Sequence, residues 1–166
     1  MPAASELASR HIVITGASRG IGRAVALACA AHGARVSICA RSAPPIEALS
    51  AQLGAVGGVF DITDPAPVSA WLATATRANG PIDVLLNNAA LLGPKCELAA
   101  YPLEDFKDVM HVNVTGTFVV TQAALPHMRR PGGVMLHMSS YLGRVPLPRY
   151  GAYCASKFAV EGLAGL

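Results

Sequence analysis

Short apolar runs alternate along the chain with longer segments in which apolar residues recur every three or four positions. The runs are almost continuously apolar, as is typical of strands that are buried on both faces of a sheet. They occupy residues 11–14, 34–40, 56–60, 82–86 and 134–138. The segments between them have the period of helices that cover such a sheet. This alternation predicts an α/β fold with a doubly wound parallel sheet of about five strands and right-handed crossovers.

Proline and capping residues predict several helix boundaries. Asp64-Pro65 predicts a helix that runs to about residue 78, because Asp caps a helix N-terminus and Pro suits its first turn. Pro44-Pro45 predicts a break before a short helix over residues 46–53. A single long helix is predicted over residues 103–129.

The composition bounds the class of protein. The 166 residues are 52% hydrophobic and 14% charged, which is typical of a folded domain with a large core. The length suits one domain, predicted over residues 1–166, and no repeat or linker divides it. The net charge is only +3, and the only adjacent basic pair is Arg129-Arg130. We therefore expect no nucleic-acid partner.

The cysteines, histidines and apolar runs bear on metal sites and location. Four cysteines occur without a CxxC motif, and five histidines occur without metal-ligand spacing. This pattern favours free thiols in a reducing compartment and predicts no metal site. Residues 1–10 lack the apolar core of a signal peptide, and no apolar run reaches the ~20 residues of a membrane span. The sequence therefore predicts a cytoplasmic protein with no membrane partner.

A glycine-rich turn, TGASRGIG at residues 15–22, joins the first apolar run to an apolar-faced helix that ends near Gly33. A strand, a glycine turn and a helix direct the free N–H groups of the helix N-terminus toward a pyrophosphate. Glycine is needed because a Cβ would keep the phosphate away or block close packing of strand and helix. The spacing is GxxxGxG instead of GxGxxG, and it predicts a Rossmann-like dinucleotide site.

Tyr153 and Lys157 stand four residues apart within the sequence YCASK, thirteen residues after Ser140. On a last helix, predicted from about Gly151, residues four apart lie on one face. An ammonium beside a phenol favours the phenolate, so such a phenol exchanges a proton more easily with an alcohol or carbonyl oxygen. An isolated YxxxK is usually an ordinary surface pair, and the glycine turn upstream is what favours a catalytic interpretation.

Three motifs occur in order: TGxxxGxG at residues 15–22, NNAA at residues 87–90 and YxxxK at residues 153–157. With these motifs, from about His11 to the last residue, the chain resembles the compact branch of the short-chain dehydrogenase/reductases. The resemblance implies an oxidoreductase that transfers a hydride between NADP(H) and a carbonyl or secondary-alcohol substrate. An extended-type epimerase or dehydratase is disfavoured, because those enzymes carry TGxxGxxG.

The resemblance also implies a set of cofactor-binding residues. Arg41 follows the second strand, and Ala40 stands where NAD-preferring relatives carry an acid. Because a guanidinium suits a ribose 2′-phosphate, Arg19 and Arg41 favour NADP(H), although NAD(H) stays an alternative. Ala90 replaces the glycine of the NNAG motif, which raises the question of whether the backbone there needs a positive φ. The implied residues are Gly16, Ser18, Arg19, Gly20, Ile21, Gly22, Arg41, Asp61, Ile62, Asn88 and Ala89, with Tyr153 and Lys157.

The catalytic residues that the resemblance implies are Asn113, Ser140, Tyr153 and Lys157. Tyr153 would exchange the proton, while Lys157 assists it and holds the nicotinamide ribose. Ser140 would bind the substrate oxygen, and Asn113 would hold a water of the proton relay. Three alternatives stay open: Ser139 in place of Ser140, Tyr150 in place of Tyr153, and an Asn113 that is merely buried and hydrogen-bonded.

Members of this family continue beyond the position that corresponds to Leu166, with a sixth strand, a substrate-covering loop and helix, and a seventh strand. The chain is therefore expected to be truncated at its C-terminus, with the strand at residues 134–138 left as a sheet edge. Alone, it is expected to be poorly soluble with little activity, so a non-catalytic dinucleotide-binding fragment is the alternative to an enzyme. The complete protein is expected to form a homodimer or homotetramer and to act on a small carbonyl or alcohol of unknown identity.

Overall fold

A computed structural model describes residues 6–165 of the chain. Its five strands are all parallel and lie in the order β3-β2-β1-β4-β5. They are β1 His11–Thr15, β2 Arg35–Ala40, β3 Val56–Val59, β4 Val84–Asn87 and β5 Val134–His137. The order runs outward in one direction from β1 and in the other from β4, which confirms the predicted doubly wound, Rossmann-like α/β fold. β5 forms one edge of the described sheet, with Val134 and Leu136 exposed.

Helices cover both faces of this sheet. They are α1 Gly20–Ala31, α2 Ala43–Leu53, α3 Pro65–Asn79, α4 Leu103–Met110, α5 Thr117–Ala124 and α6 Gly151–Ala164. Alternate residues of β1 point to opposite faces of the sheet. Ile12 and Ile14 therefore pack in the core under α1 and α2, whereas Val13 packs in the core under α3 and α5.

The single helix predicted over residues 103–129 is interrupted in the structure, so that prediction is wrong. A π-helical turn at His111–Gly116 separates α4 from α5, and a 3-10 turn at Leu125–His127 ends the run. Within the π-helical turn, Asn113 is hydrogen-bonded to the backbone of Leu91, which is distant in sequence. The 3-10 turn contains a proline, which lacks the N–H group that an α-helical bond needs. The helical periodicity carries no signal for either interruption.

Two predicted elements also begin two or more residues away from their predicted starts. The fourth strand begins at Val84 instead of residue 82, because Ile82 forms only a single bridge, with Met128. α2 begins at Ala43 instead of residue 46. Both prolines of the predicted break lie inside its first turn, where a missing N–H costs no hydrogen bond.

A buried polar network closes the amino end of the sheet, and His11 is at its centre. The His11 Nδ1 atom lies 2.8 Å from the Gly80 carbonyl oxygen, and Nε2 lies 2.9 Å from the Ser37 hydroxyl oxygen. Because a carbonyl can only accept, Nδ1 carries the proton and Nε2 accepts from Ser37. The Asn79 side chain donates to the same hydroxyl oxygen at 3.1 Å. Burial is the main cause that lowers the pKa of His11, so the imidazole is neutral and every polar atom of the ring is paired.

Asp83 completes the amino end of the sheet. Its carboxylate accepts from the His11 backbone N–H at 2.8 Å and from Arg10 Nη1 at 2.9 Å. Arg129 also donates to it, through both Nε and Nη2. Burial opposes the charged form, but the hydrogen bonds from Arg129, His11 and Arg10 outweigh that penalty and lower the pKa of Asp83 to about 2. The carboxylate therefore stays charged over the physiological pH range.

Three findings on residues 6–165 bear on the other expectations. All four cysteines are free thiols. The described side chains bring together no group of three or more His, Cys, Asp or Glu that could hold a metal ion. In this part of the chain no helix is long and apolar enough to cross a membrane. The cytoplasmic location stays a prediction.

Candidate active site

A cleft of about 620 Å³ opens at the carboxyl end of the sheet. It lies where the strand order reverses, because the connection after β1 leads toward β2 and the connection after β4 leads toward β5. Divergent connections of this kind leave a crevice outside the carboxyl ends of parallel strands. The segments that follow β1, β2, β3 and β4 all contribute to its walls.

The glycine turn after β1 forms one wall of the cleft. Gly16 has a φ of +68°, and a Cβ on it would lie 2.7 Å from Ala89 Cα. A Cβ on Gly22 would lie 2.5 Å from Asn88 Nδ2. These two glycines therefore permit close packing of the turn on the segment that follows β4. Gly20 has a φ of +57° and open space where a Cβ would stand, so the turn is free of side-chain cover at the N-terminus of α1.

Asn88 and Thr15 hold the two walls of the cleft together. The Asn88 side-chain amide donates to the Thr15 carbonyl at 3.0 Å and to the Gly16 carbonyl at 3.2 Å. In return, the Thr15 hydroxyl accepts from the backbone N–H groups of Asn88 and Ala89. Sequence reasoning assigned no role to the Thr15 side chain, although its place directly before Gly16 in the motif is a signal. Ala90 is not among the residues with positive φ, so its replacement of glycine carries no backbone strain.

The structure brings most of the predicted cofactor-binding residues into one cleft. Its lining includes Gly16, Ser18, Arg19, Gly20, Ile21, Arg41, Asp61, Ile62, Asn88 and Ala89. Three predicted residues, Gly22, Tyr153 and Lys157, do not line it, and Gly22 is buried beneath the turn. Leu91 and Val112 line the cleft as well, and sequence reasoning did not find them, because neither carries a chemical group that distinguishes it from a core residue.

Arg41 and Asp61 form an ion pair at the ends of β2 and β3. The Arg41 Nη1 atom lies 3.7 Å from Asp61 Oδ2, and the Arg41 side chain is largely exposed. The Thr63 N–H and hydroxyl donate to the other Asp61 oxygen at 3.0 and 2.9 Å. Burial opposes the charged carboxylate, but the Thr63 bonds and the charges of Arg41 and His111 lower the pKa of Asp61. The pair is a loose one, since a direct charge-assisted hydrogen bond between N and O measures about 2.7–2.9 Å.

Lys157 is almost fully buried at the carboxyl end of β5. Its Nζ atom donates to the Met138 carbonyl at 2.5 Å and lies 5.5 Å from the centre of the Tyr153 ring. Loss of hydration on burial lowers the pKa of Lys157. A cation that is poorly hydrated and close to a phenol interacts strongly with any charge that develops on the phenol oxygen.

Ser140 caps the 3-10 turn Tyr141–Gly143, and its hydroxyl oxygen accepts from the Leu142 N–H at 3.2 Å. The hydroxyl keeps its own proton for another acceptor. A Cβ on Gly143 would lie 2.6 Å from Ser139 Oγ and 3.0 Å from the Lys157 carbonyl oxygen. The absence of that Cβ lets the turn that carries Ser140 pack closely on the helical turn that carries Lys157. Ser139 Oγ lies at this contact, and the choice of Ser140 over Ser139 stays a prediction.

Asn113 connects the cleft to the helix of Tyr153 and Lys157. Its side-chain oxygen accepts from the Leu91 N–H at 2.7 Å, and its amide nitrogen donates to the Leu91 carbonyl at 2.8 Å and to Ser156 Oγ at 2.9 Å. Ser156 in turn donates to the Tyr153 carbonyl at 2.8 Å. This geometry fits the alternative of a buried, hydrogen-bonded Asn113, and the water-relay role stays a prediction. Ser156 was missed, although it directly precedes Lys157 within YCASK.

Comparison with known proteins agrees with this geometry. The family model described as short chain dehydrogenase matches residues 10–165. The chain is 39% identical over 160 residues to a D-threitol dehydrogenase of Mycolicibacterium smegmatis, covering 92% of this chain and 60% of that protein. It is 35% identical over 165 residues to an NADPH-dependent pterin aldehyde reductase of Arabidopsis thaliana, covering 96% of this chain and 68% of that protein. The chain belongs to the short-chain dehydrogenase family.

A solved structure with bound cofactor shares this fold. It is a short-chain dehydrogenase from Escherichia coli CFT073 complexed with NADPH, with a TM-score of 0.88 and 33% identity. The match covers 98% of this chain and 71% of that one. The chain spans 60% of the length of the D-threitol dehydrogenase. The activity, substrates and partners of a whole protein are therefore matters of proposal.

Proposed function

We propose that this site carries out NADP(H)-dependent interconversion of a carbonyl compound and a secondary alcohol. The observation that carries the proposal is the Tyr153–Lys157 pair, in which a buried ammonium lies 5.5 Å from the phenol ring. The pair is joined through Ser156 and Asn113 to Leu91, which lines the cleft beside the glycine turn. A proton donor and the cleft beside the glycine turn thus lie at the same end of the sheet.

The residues of the cleft fit a phosphorylated dinucleotide. The turn at Gly16–Gly22 leaves open space at the N-terminus of α1, and the first turn of that helix holds no acidic side chain to repel an anion. Arg19 and Arg41 would hold the adenosine-side phosphates, and Asp61 and Ile62 would hold the adenine. Ala40 offers no carboxylate to a ribose 2′-hydroxyl, which favours NADP(H) over NAD(H). The bound NADPH of the E. coli relative supports the same choice.

The cofactor supplies or accepts the hydride, and the side chains of the chain handle the substrate oxygen and its proton. Tyr153 gives its phenolic proton to the oxygen during reduction and takes it back during oxidation. Lys157 stabilises the charge left on Tyr153 and holds the nicotinamide ribose. Ser140 donates its free hydroxyl proton to the substrate oxygen and so orients it.

Replacement of one phenol tests the proposal. Tyr153→Phe should lower the rate of carbonyl reduction by about 10²–10⁴-fold, because general acid catalysis contributes about that much. NADPH binding, followed by fluorescence titration, should be unchanged, since the variant loses only the transferable proton. Tyr101→Phe is the matched control, because its hydroxyl has no hydrogen-bond partner among the described residues. Comparable turnover in the Tyr153 variant and the parent would disprove the assignment.

A second candidate is a dinucleotide-binding chain without turnover, and the lining of the cleft favours it because it includes neither Tyr153 nor Lys157. The same titration and assay separate the two candidates. Tight NADPH binding with no reduction of any ketone or aldehyde would establish the binding function alone. Failure of NADPH to bind would exclude both.

We further propose that the whole protein assembles as a homodimer or homotetramer. Phe118 and Leu125 lie exposed on and after α5, and Phe158 lies exposed on α6. Apolar patches on neighbouring helices are typical of subunit interfaces. Light scattering at micromolar concentration should report a mass of at least two chains. A purely monomeric species would exclude this assembly.

A further inference from the structure

Two loops meet at the start of α6, one helical turn before Tyr153. We call residues 91–98 and 141–150 the entrance loops. The Arg149 Nη2 atom donates to the Lys95 carbonyl at 3.2 Å, and the Lys95 ammonium lies 5.2 Å from the centre of the Tyr150 ring. The loops also meet at Gly151, where a Cβ would lie 3.2 Å from Leu98 Cδ1. The two loops therefore hold each other beside the N-terminus of the catalytic helix.

The entrance loops carry two cations without a carboxylate partner. Among residues 6–165, neither Lys95 nor Arg149 forms an ion pair. Glu104 is paired with Lys107, and Glu161 is paired with Arg144. Glu97 is in the same loop as Lys95, but it forms no ion pair with either cation. The positive charge at this position is thus uncompensated.

The backbone of Arg149 is also unusual. Its φ is +71°, a left-handed value that costs energy for a residue with a Cβ. Strained residues of this kind persist where the surrounding structure holds them, and they cluster at ligand sites. Here the guanidinium is hydrogen-bonded to the Lys95 carbonyl, and the Lys95 ammonium lies over the ring of Tyr150, the next residue, so both cations belong to the contact between the two loops.

Several large apolar and aromatic side chains of the entrance loops are exposed. Leu92 is 43% exposed, Leu147 is 45% exposed and Tyr141 is 69% exposed. Water-exposed side chains of this size suit the hydrocarbon part of a ligand. The two loops at the N-terminus of α6 therefore combine exposed apolar side chains with two cations.

We propose that the entrance loops bind a carbonyl substrate that carries an anionic group, a carboxylate or a phosphate, at the end of an apolar chain. Lys95 and Arg149 receive the anion, and Leu92, Tyr141 and Leu147 contact the chain. This inference rests on the proposed function, because it places the carbonyl of such a substrate at Tyr153. It is a statement about specificity, so binding can test it without turnover.

The test measures the binding of two ligands, 2-heptanone and 6-oxoheptanoate, to the full chain in the presence of NADP⁺. Both ligands are seven-carbon methyl ketones, and they differ in whether the far end is a methyl group or a carboxylate. Ligand-observed NMR should give an affinity about tenfold higher for 6-oxoheptanoate, since charge-assisted hydrogen bonds are the stronger kind. Lys95→Met and Arg149→Asn should each remove most of that preference and leave 2-heptanone binding unchanged. Asn is chosen because it tolerates a left-handed backbone. A phosphate ester of the matching keto alcohol distinguishes a phosphate site from a carboxylate site.

Two matched controls remove charges outside the proposed contact. Arg144→Gln deletes a cation that is already paired with Glu161, and it should not alter the preference for the anion. Glu97→Gln should leave the preference equal or raise it. Equal affinity for both ligands, no binding of either, or an unaltered preference in the Lys95 and Arg149 variants would overturn the inference.

Turnover separates this inference from the proposed function. If 6-oxoheptanoate binds preferentially but neither ketone is reduced by NADPH, the proposed function fails and the anion site stands. If both ketones are reduced with equal kcat/KM and bind equally, the anion site fails and the proposed function stands.

Discussion

At the amino end of the sheet, the polar atoms of His11 and Asp83 are all bonded within the protein, whereas Arg19 and Arg41 at the carboxyl end line an open cleft. Both ends belong to the same parallel strands. The amino end is closed because side chains and carbonyls satisfy one another in pairs. The carboxyl end is open because the glycine turn after β1 presents backbone without side-chain cover.

This difference indicates how the chain separates stability from binding. Polar groups whose hydrogen bonds are all made inside the protein cannot bond to a ligand. Removal of one partner leaves the other buried without a hydrogen bond, which destabilises the fold. Polar groups at the open end can still form hydrogen bonds or ion pairs with a ligand. Some of them are held at an energetic cost, and Lys157, whose ammonium loses hydration on burial, is an example. Substitutions at the amino end should therefore affect unfolding, and substitutions at the carboxyl end should affect ligands and chemistry.

The largest effect is expected at Lys157. Lys157→Met should lower turnover by about 10³-fold or more, because it removes the cation beside Tyr153. Thermal unfolding should show no loss of stability, since the variant no longer buries an ammonium. Lys107→Met, at an exposed position on α4, is the control for loss of charge. A large fall in melting temperature for the Lys157 variant would show that the open end also carries stability.

The second effect is expected at Asp83. Asp83→Ala should reduce the free energy of unfolding by about 2–3 kcal/mol, because Arg10, Arg129 and the His11 N–H lose a charged acceptor. Urea unfolding measures it, with the exposed Asp108→Ala as control. NADPH affinity of the folded fraction should not change, and a weakened affinity would contradict the separation of the two ends.

A third and smaller effect concerns cofactor choice at the open end. Arg41→Asp should lower the ratio of NADPH to NADH affinity by about tenfold or more, because it replaces a 2′-phosphate partner with a carboxylate that suits a 2′-hydroxyl. Fluorescence titration with both cofactors measures the ratio. Arg77→Asp, at an exposed position on α3 outside the cleft, is the matched change of charge. Equal affinities for both cofactors in the parent chain would exclude the assigned role of Arg41.

The smallest effect is the response of His11 to acid. Its folded-state pKa is lowered from 6.5 mainly by burial, so below pH 6.5 the unfolded chain binds more protons than the folded one. The stability from neutral His11 is thus fully present above pH 6.5 and is lost as the pH falls below it. Melting temperatures between pH 7.5 and 5.5 should fall more for the parent than for His11→Val. Asp83 does not contribute in this range, because its pKa is about 2. An identical acid response in both chains would contradict the assignment.

The carboxyl end was largely predictable from sequence, because its chemistry depends on local motifs. Glycine spacing located the turn at Gly16–Gly22, and a four-residue spacing placed Tyr153 and Lys157 on one helix face. The amino end was not predictable, since His11 and Asp83 are polar residues at the start of apolar runs and their partners are distant in sequence. No local pattern distinguishes them from turn residues.

The interruption of the long helix was missed for a similar reason. Asn113 has a low helix propensity, which marks the position but not the geometry. The π-helical turn accompanies the bonds from Asn113 to Leu91 and Ser156, and both partners lie far along the chain. The periodicity of apolar residues indicates which face of a helix is buried. It does not indicate that a side chain of the helix forms hydrogen bonds with residues distant in sequence.

The double hydrogen bond between Asn113 and Leu91 has a consequence for hydrogen exchange. Leu91 lies outside any strand or helix, yet both its N–H and its C=O are paired with one buried side-chain amide, much as a neighbouring strand would pair them. Its amide proton can exchange only after the bond to the Asn113 side chain breaks. The Leu91 amide should therefore exchange as slowly as the amides of β4, so that one wall of the cleft is as rigid as the sheet beneath it.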